Sequence, residues 1–393
     1  MSTTPSVNAL PPGIFNLADH EAHARTVLTD NAWAYFSGGA ADEHTVRANT
    51  SAWDDWLLAP RVLQPLAGGH TRIELLGRSL QHPILLAPVA YQRMAHPDGE
   101  LASALAAAAL GAGMVLSTQA SVLLESVASA FLPEAQRGPL WFQLYWQADR
   151  GFTRELVQRA EAAGYEALVI TVDAPVSGVR DRERRAGFHL PQGISAVNLA
   201  GMKAPAAPAL ASGQSALFDG LLATAPTWSD VAWLVAQTCL PVIIKGVLHP
   251  DDARQAIMLG VAGVIVSNHG GRTLDTTPAT AAVLPRITQA VGGTAPVLVD
   301  GGIRRGTDVL KAMALGASAV LLGRPYVYGL ANAGAMGVAH VLRLLRDELE
   351  VAMALCGCAT LAQASPALLF NAPQNPDPVS RYLHATQQCT SKV

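Results

Sequence analysis

The sequence predicts an α/β protein built on a (β/α)₈ barrel, the TIM barrel fold. Eight short apolar segments rich in Val, Ile and Leu follow one another between residues 83 and 323, separated by Ala- and Leu-rich segments of helical length. This alternation is typical of a parallel sheet that is buried on both faces. The count of strand–helix pairs and their total length match a closed barrel. An open doubly wound sheet is disfavoured, because no GxGxxG motif follows the first strand.

Residues 1–80 are predicted to form helices and a hairpin that cap the barrel. Within residues 14–52, Asn16 or Asp19 is the expected N-cap of the first helix, and Gly38–Gly39 ends the second. Residues 73–83 predict a hairpin that turns near Gly77–Arg78 and floors the following domain. We assign residues 81–360 to the barrel and residues 361–393 to a C-terminal tail.

The predicted barrel strands are five to seven residues long and carry few charges. They are PILLAP (83–88), GMVLST (113–118), LWFQLY (140–145), ALVITVD (167–173), PVIIKG (241–246), GVIVSN (263–268), PVLVD (296–300) and AVLLG (319–323). The clearest helical segments between and after them are 99–111, 149–164, 250–260, 305–316 and 332–354.

A long connection, residues 174–228, interrupts the alternation after the fourth strand. From Gly187 to Trp228 its only charged residues are Lys203 and Asp219. Long connections inside compact domains are usually functional or disordered. By analogy with enzyme lids we expect a mobile lid over a site. The alternative, a membrane-contacting surface, is disfavoured because the segment lacks the basic face of interfacial helices.

Composition limits the possible partners and the compartment. The formal net charge is only -3, which gives no indication of nucleic-acid binding. The uncharged stretch Leu101–Leu124 is broken by Gly111 and Gly113, so it predicts a buried helix and strand instead of a membrane span. No signal peptide is evident. The cysteines suit a reducing cytoplasm and match no metal site or redox pair: Cys239, Cys356, Cys358 and Cys389.

Polar residues or glycines end the predicted strands, apart from Pro88–Val89–Ala90 at the first, and in a barrel such positions meet at one mouth. Each has a possible structural role, such as pairing with buried backbone, but the full set of eight indicates a site. The set is Pro88–Val89–Ala90, Ser117, Gln143 with Tyr145, Thr171 with Asp173, Lys245, Ser267 with His269 and Arg272, Asp300, and Gly323–Arg324.

Three segments of this set indicate specific chemistry. In GVIVSNHGGRTLD (263–275), a strand end presents a histidine base beside two glycines, and Arg272 offers a planar fork for a carboxylate. DGGIRRG (300–306) and GRP (323–325) follow the last two strands, where barrel enzymes bind phosphate. A phosphate-bearing cofactor or substrate is therefore expected, with Lys245 facing an anionic ring system.

Several segments carry a family resemblance. SNHGGRTLD (267–275), TVDAP (171–175), APVAYQRMAHPDGE (87–100), WFQLYWQ (141–147) and VDGGIRRGTDVLKAMALGA (299–317) resemble, in matching order, the FMN-dependent α-hydroxy acid oxidases and dehydrogenases. That family includes glycolate oxidase, lactate oxidase and mandelate dehydrogenase. The resemblance extends from about Phe15 to about Ala362, and APVAYQR is most similar to the hydroxymandelate oxidase branch.

The resemblance implies catalytic roles for four residues. His269 corresponds to the active-site base, and Asp173 to the carboxylate that orients it. An adjacent anion stabilises the protonated imidazole, so the pairing is physically sensible. Tyr145 would hydrogen-bond the substrate hydroxyl or carboxylate. Lys245 would stabilise negative charge on reduced FMN.

The resemblance also implies binding residues. The substrate-binding residues would be Tyr35, Gln119, Tyr145, Arg180 and Arg272. The two arginines would clamp the substrate carboxylate. Backbone at Pro88, Val89 and Ala90 would lie near the flavin, and the other FMN-binding residues would be Ser117, Gln143, Thr171, Lys245, Ser267, Asp300, Gly302, Arg304, Gly323 and Arg324. Glycolate-oxidising relatives carry tryptophan where this chain has Gln119. The resemblance therefore leaves the identity of the substrate side chain open.

The expected function is FMN-dependent oxidation of an (S)-2-hydroxy acid to the 2-oxo acid, with O₂ reoxidising the flavin and giving hydrogen peroxide. The sequence does not distinguish loss of the α-hydrogen as hydride from loss as a proton. A membrane-associated, quinone-linked dehydrogenase is the alternative, and a non-catalytic flavin-binding barrel is an alternative of another class. No haem domain is expected before Phe15. The sparse cysteines predict a cytoplasmic location, and the family resemblance implies a homotetramer.

Overall fold

The computed structural model describes residues 9–202 and 210–370, and it contains a closed eight-stranded parallel barrel. Each predicted strand is present; most are shorter than predicted, and the fifth is shifted by one residue. The barrel strands are β4 (Ile84–Leu86), β5 (Gly113–Leu116), β6 (Leu140–Leu144), β7 (Ala167–Thr171), β8 (Val242–Val247), β9 (Gly263–Val266), β10 (Val297–Asp300) and β11 (Ala319–Leu322). Pairing of β11 with β4 closes the sheet, which confirms the predicted (β/α)₈ barrel.

The lower part of the barrel interior is filled by a layer of apolar side chains drawn from all eight strands. Leu85, Val115, Trp141, Val169, Ile243, Ile265, Leu298 and Leu321 belong to this layer. Beneath it lies a hairpin of β2 (Ile73–Leu75) and β3 (Arg78–Leu80), whose Leu75 and Leu80 pack into the same cluster. The predicted hairpin is therefore present and closes the N-terminal end of the barrel. Its turn is Leu76–Gly77, one residue earlier than predicted, because both adopt positive φ.

Alternation along each strand determines which residues form the upper layer. Successive side chains of a strand point to opposite faces, so the residue two positions after each apolar interior residue also points inward. Those residues are Ala87, Ser117, Gln143, Thr171, Lys245, Ser267, Asp300 and Gly323. Six of these residues are polar positions predicted from strand ends, and they lie directly above the apolar layer: Ser117, Gln143, Thr171, Lys245, Ser267 and Asp300.

The surrounding helices include every one that the sequence predicted. They are α4 (Gly99–Ala109), α5 (Leu124–Phe131), α6 (Arg150–Ala162), α7 (Asp181–Arg185), α8 (Trp228–Val235), α9 (Pro250–Met258), α10 (Thr280–Val291), α11 (Gly306–Ala314) and α12 (Arg324–Leu355). Helix α12 begins earlier than the predicted 332–354. Non-helical φ and ψ angles at Ala333 and Gly334 divide it, and the part after this kink corresponds to the predicted helix.

Three helices precede the barrel: α1 (Leu17–Val27), α2 (Asp30–Ser37) and α3 (His44–Ser51). Asn16 is the N-cap of α1, and Asp19 completes a capping box by accepting a hydrogen bond from the Asn16 backbone at 3.2 Å. Gly38 is the C-cap of α2, as predicted. At the other end of the described chain, β12 (Leu369–Phe370) pairs with β1 (Leu57–Leu58).

The long connection 174–228 contains ordered segments and anchors to the barrel. Besides α7, it includes a 3₁₀ turn at Val197–Leu199 and a π-helical segment at Ala216–Leu221. Asn198 is fully buried and its side chain bonds Leu124 N at 2.9 Å and Val122 O at 3.1 Å. Lys203 and Cys389 lie outside the described residues. In the described part of the chain, none of the helices combines the length and apolar character needed to cross a membrane.

Candidate active site

One cavity of about 1270 Å³ opens at the C-terminal ends of the barrel strands. It exceeds the ~300–1,000 Å³ of typical small-molecule pockets, which leaves room for a cofactor together with a substrate. Of the residues predicted for the site, all line this cavity except Asp173 and Ser267. These two lie behind the wall, where they contact His269 and Lys245. Barrel closure brings together residues separated by more than two hundred positions.

His269 stands at the centre of a chain of three polar side chains. Its Nδ1 lies 2.8 Å from Asp173 Oδ1, and its Nε2 lies 3.3 Å from the Tyr145 hydroxyl. His269 is in the left-handed region with φ +57°, and its backbone N–H donates to Ser267 Oγ at 3.0 Å. A carboxylate on Nδ1 keeps that nitrogen protonated, so Nε2 is the acceptor nitrogen and lies beside the Tyr145 hydroxyl at the cavity. The arrangement is that of an oriented general base.

Electrostatics keeps Asp173 ionised beside this imidazole. Burial alone raises the pKa of its carboxyl, but His269 and then Lys245 outweigh burial, so the net pKa lies below the ordinary value. Asp173 Oδ2 is buried and has no hydrogen-bond partner among the described residues. For Tyr145, burial first and Asp173 second raise the pKa, so its hydroxyl stays protonated at neutral pH. Tyr145 can therefore donate a hydrogen bond into the cavity.

Lys245 places a buried positive charge on the cavity wall. Its side chain is nearly inaccessible, and Nζ contacts Asp300 Oδ2 at 3.0 Å and Ser267 Oγ at 2.8 Å. Burial lowers the pKa of Lys245, but Asp300 and Asp173 outweigh it and raise the net pKa, so the ammonium persists. Asp300 Oδ1 is buried without a hydrogen-bond partner in the described chain and is free to accept one from a bound molecule.

Gln143 organises the amide and hydroxyl groups on the adjacent wall. Its Oε1 accepts from Ser117 Oγ at 3.3 Å and from Thr118 N at 3.2 Å, and its Nε2 donates to Thr171 Oγ1 at 3.0 Å. Ser117, Gln143 and Thr171 are all buried polar residues of the upper layer. Because each side chain has a partner, the wall is rigid before any ligand binds.

The two arginines predicted to clamp a carboxylate share one glutamate. Glu183 Oε1 lies 2.9 Å from Arg272 Nη2 and 3.5 Å from Arg180 Nη1. Arg272 also donates to the carbonyls of Tyr35 and Gly38, and its guanidinium stacks 4.8 Å from the Tyr35 ring. Burial lowers the pKa of Arg272. These contacts fix its orientation and leave Nε and one N–H of Nη2 for a ligand.

An aromatic cluster lines the part of the cavity next to these arginines. Tyr35 stacks on Phe188 of the long connection with 4.9 Å between ring centroids, and it meets Tyr91 edge-on at 6.0 Å. Tyr91 and Gln119 lie on neighbouring loops joined by a Tyr91 N to Gln119 O bond of 3.2 Å. Burial raises the pKa of Tyr35, which keeps its hydroxyl neutral.

The glycine-rich ends of the last two strands form the remaining wall. Gly302, with φ +78°, lies so close to Asn49 that a Cβ would clash with the Asn49 carbonyl, whereas Gly323 has open space where its Cβ would be. Arg304 lines the cavity. Arg324 donates to the carbonyls of Phe36, Gly38 and Gly270 at 3.1, 2.8 and 2.9 Å, and burial lowers its pKa to about 10. Its predicted phosphate contact must use the remaining donors.

Comparison with known proteins identifies the family. A family model described as FMN-dependent dehydrogenase matches residues 24–371. The chain belongs to this family. It is 52% identical over 353 residues to an L-lactate oxidase of Roseobacter sp. (strain GAI101), covering 90% of this chain and 94% of the relative. It is 49% identical to an L-lactate oxidase of Alicycliphilus denitrificans, covering 90% and 95%.

Solved structures of FMN-dependent dehydrogenase relatives show the same barrel. The crystal structure of mandelate oxidase with (S)-2-phenylpropionate superposes with a TM-score of 0.80 at 43% identity, covering 89% of this chain and 97% of that one. The predicted family is therefore confirmed, as are the enzyme class and the FMN cofactor. The chain is an FMN-dependent enzyme that oxidises 2-hydroxy acids.

The cavity residues fit FMN in size and chemistry. Its volume admits a flavin, the buried Lys245 ammonium suits an electron-rich ring edge, and Asp300 Oδ1 is an unpaired acceptor suited to a ribityl hydroxyl. The glycines near Gly302 and Gly323 and the cation of Arg304 suit a phosphate. Among residues 9–202 and 210–370, no group of three His, Cys, Asp or Glu side chains is placed to bind a metal ion.

Sequence reasoning missed several residues of this site. Glu183 lies three positions after Arg180 in a short helix, a spacing that pairs opposite charges and was a usable signal. Tyr91 has a left-handed φ of +55° and faces the cavity from the APVAYQR segment. Asn49 and Asn268 contact each other across 219 positions, a distance that no local pattern reveals.

Proposed function

We propose that this chain is an (S)-2-hydroxy acid oxidase, which forms the 2-oxo acid and passes the electrons to O₂ to give hydrogen peroxide. The observation that supports the proposal best is the line Asp173–His269–Tyr145 beside two arginines at the mouth of one cavity. When bound, FMN accepts two electrons from the substrate. The chain's own side chains bind the acid, orient it and move its hydroxyl or α-proton.

Arg180 and Arg272 would hold the substrate carboxylate, with Tyr35 assisting. This binding would place the hydroxyl-bearing carbon near the Tyr145 hydroxyl and His269 Nε2, which lie 3.3 Å apart. His269 would accept a proton, and Asp173 would stabilise the resulting imidazolium. Lys245 would stabilise negative charge that develops nearby. The geometry accommodates proton removal from either the hydroxyl or the α-carbon.

The other predicted residues would surround the cofactor. Pro88, Val89 and Ala90 would present backbone groups to the ring, while Ser117, Gln143, Thr171 and Ser267 would contact the ring or ribityl chain, Ser267 through Lys245. Asp300, Gly302, Arg304, Gly323 and Arg324 would hold ribityl hydroxyls and phosphate. Gln119 would border the substrate side chain. The aromatic cluster of Tyr35, Tyr91 and Phe188 supports screening aromatic acids alongside lactate.

A quinone-linked dehydrogenase is the second candidate, because the connection 174–228 exposes a group of apolar side chains. Phe218 and Leu221 are 70% and 68% exposed. We favour the oxidase, and we propose that this connection acts as a mobile lid, since Phe188, Leu190 and Leu199 line the cavity. A cytoplasmic homotetramer is also proposed. Light scattering should then give four times the 41.1 kDa of one chain.

The discriminating experiment is reoxidation. Enzyme reduced by substrate without oxygen is mixed with aerated buffer or with a soluble quinone analogue. The oxidase proposal predicts that aerated buffer restores the flavin spectrum at least as fast as turnover, with one hydrogen peroxide per flavin. Slow reoxidation in air, fast reoxidation by quinone and sedimentation with lipid vesicles would together establish the dehydrogenase instead.

A further inference from the structure

Helix α3, which lies outside the barrel, contacts the loop that carries His269 at three points. Its N-terminus is capped by Asp275, which accepts from Thr45 N at 2.8 Å and from His44 N at 3.2 Å. Gly271 packs directly on Val46: a Cβ added to Gly271 would lie only 2.8 Å from Val46 N. Asn49 bonds Asn268, the residue immediately before the histidine.

The Asn49–Asn268 contact is a reciprocal pair of amides. Asn49 Nδ2 donates to Asn268 Oδ1 at 2.8 Å, and Asn268 Nδ2 donates to Asn49 Oδ1 at 2.8 Å. Each oxygen also accepts from a backbone N–H: Asn49 Oδ1 from Thr280 at 3.3 Å and Asn268 Oδ1 from Gly271 at 3.2 Å. Backbone N–H groups only donate, so they determine how both amides are oriented.

The loop needs such support because its backbone conformation is unfavourable. His269, Gly270 and Gly271 all have positive φ, at +57°, +62° and +73°. A residue with a Cβ, such as His269, rarely adopts a positive φ. That conformation persists only where surrounding contacts hold the backbone in place. Asn268 makes the supporting bonds on both sides of the turn, since Nδ2 also donates to Pro278 O at 3.1 Å.

We propose that Asn49 is a positioning residue for the reaction, which acts through Asn268 to hold His269 with Nε2 directed into the cavity. The inference rests on the proposed role of His269 as the base. Asn49 itself does not line the cavity and touches neither substrate nor reacting atoms. Both amides are 2% exposed, so water cannot replace a bond that is lost.

The same residue links the base to the opposite wall. The carbonyl of Asn49 lies against Gly302, and Trp53, one turn further on, donates from Nε1 to Gly301 O at 2.9 Å. Helix α3 and the residues directly after it therefore connect the His269 loop to the proposed phosphate loop. A displacement of the base by about 1 Å is enough to slow a reaction by up to ~100-fold.

The first test is Asn49→Ala, purified with FMN bound. We expect the rate constant for anaerobic flavin reduction by L-lactate, or by the best acid of a screen, to fall roughly 10–100-fold. Affinity for the 2-oxo acid product, read from the flavin spectrum, should stay within about threefold, because Arg180 and Arg272 keep their partners. Asn332→Ala is the matched control: it removes an amide bonded to His20 and His23, none of the three lines the cavity, and the variant should reduce at the parent rate.

The second variant, Asn49→Asp, adds a pH readout. A protonated carboxyl at this position can still donate to Asn268 Oδ1, whereas a carboxylate can only repel it. Burial favours the neutral form. The ratio of variant to parent reduction rates should therefore fall as pH rises. A ratio that does not change with pH, or an Asn49→Ala rate within about threefold of the parent, would overturn the proposal.

Hydrogen exchange gives a readout independent of turnover. Peptides covering residues 263–275 should exchange faster in Asn49→Ala than in the parent and in Asn332→Ala. Unchanged exchange there would contradict the positioning role. His269→Gln distinguishes the role of His269 from that of Asn49. If His269→Gln reduces its flavin at the parent rate, His269 is not the base. If His269→Gln is slow and Asn49→Ala is normal, only the positioning role of Asn49 is wrong.

Discussion

The two ends of the barrel are built from the same strands and the same alternation, yet they differ in chemistry. At the N-terminal end, Leu75 and Leu80 of the hairpin pack on an apolar interior layer. Two residues further along each strand, the inward-facing side chains include Lys245 and Asp300, a buried ion pair. Burying a charged group costs free energy unless the group is paired. The charged upper end therefore contributes less to the stability of the fold, and the apolar lower end contributes more.

The largest expected effect is at the upper end. His269→Gln should slow anaerobic flavin reduction by ~100- to 10,000-fold, because the variant lacks the general base. FMN should remain bound, and the thermal unfolding midpoint should change little, since Gln keeps a polar partner for Asp173. Stopped-flow absorbance of the flavin measures the rate. A variant that reduces its flavin within a few-fold of the parent would remove His269 from the mechanism.

The next effect belongs to the lower end. Leu80→Ala removes a buried side chain from the hairpin of β2 and β3 and should lower the free energy of unfolding by about 2–5 kcal/mol. Denaturant unfolding measures it, with Leu63→Ala as the control because Leu63 is 99% exposed. Flavin reduction by the folded variant should match the parent. A loss of activity without loss of stability would mean that the two ends are not separable.

The arginine pair should give a smaller effect at the upper end. Arg272→Met and Arg180→Met each remove a charge-assisted contact and should weaken binding of the 2-oxo acid product by about 1.5–3 kcal/mol. Titration followed by the flavin spectrum measures the affinity, and the exposed Arg254→Met is the control. If the methyl ester of the substrate reduces the flavin as fast as the acid does, the carboxylate clamp is wrong.

The smallest effect concerns acid stability at the lower end. Burial lowers the pKa of His82 from 6.5 to about 4. Its Nε2 lies 3.0 Å from Leu110 O, and its Nδ1 accepts from Ile84 N at 3.3 Å, so both nitrogens are used by the neutral ring. Folded protein protonates His82 less readily than the unfolded chain does. The contribution of His82 to the free energy of unfolding is therefore fully present above pH 6.5 and is lost as the pH falls toward 4.

His82→Gln should reduce this acid dependence, although His20, whose pKa burial also lowers to about 4, will preserve part of it. Unfolding midpoints measured between pH 4 and 7 provide the test. Identical slopes for the parent and the variant would show that His82 does not contribute.

The barrel and the polar layer were predictable because both depend on local alternation. Strand β7 shows this: Val169 and Thr171 are two positions apart, so the sequence alone places them on one face, apolar below and polar above. Helix α12 was predicted to begin late because non-helical angles at Ala333 and Gly334 divide it, and no periodic pattern marks that kink.

Contacts between distant segments were not predictable in this way. Glu183 reaches Arg272 across 89 positions and occupies donors that the sequence assigned wholly to the substrate. Asp275 ends the motif that marks the base, yet its side chain caps a helix 230 positions earlier. Such pairings follow from closure of the barrel and carry no periodic signal.

The most direct test of the central claim is anaerobic mixing of the FMN-loaded enzyme with a series of (S)-2-hydroxy acids, from L-lactate to aromatic acids, while flavin absorbance is recorded. Our account predicts that at least one acid bleaches the flavin rapidly, that its (R)-enantiomer does not, and that air then restores the colour with release of hydrogen peroxide. A flavin that stays bound and oxidised with every acid would contradict it.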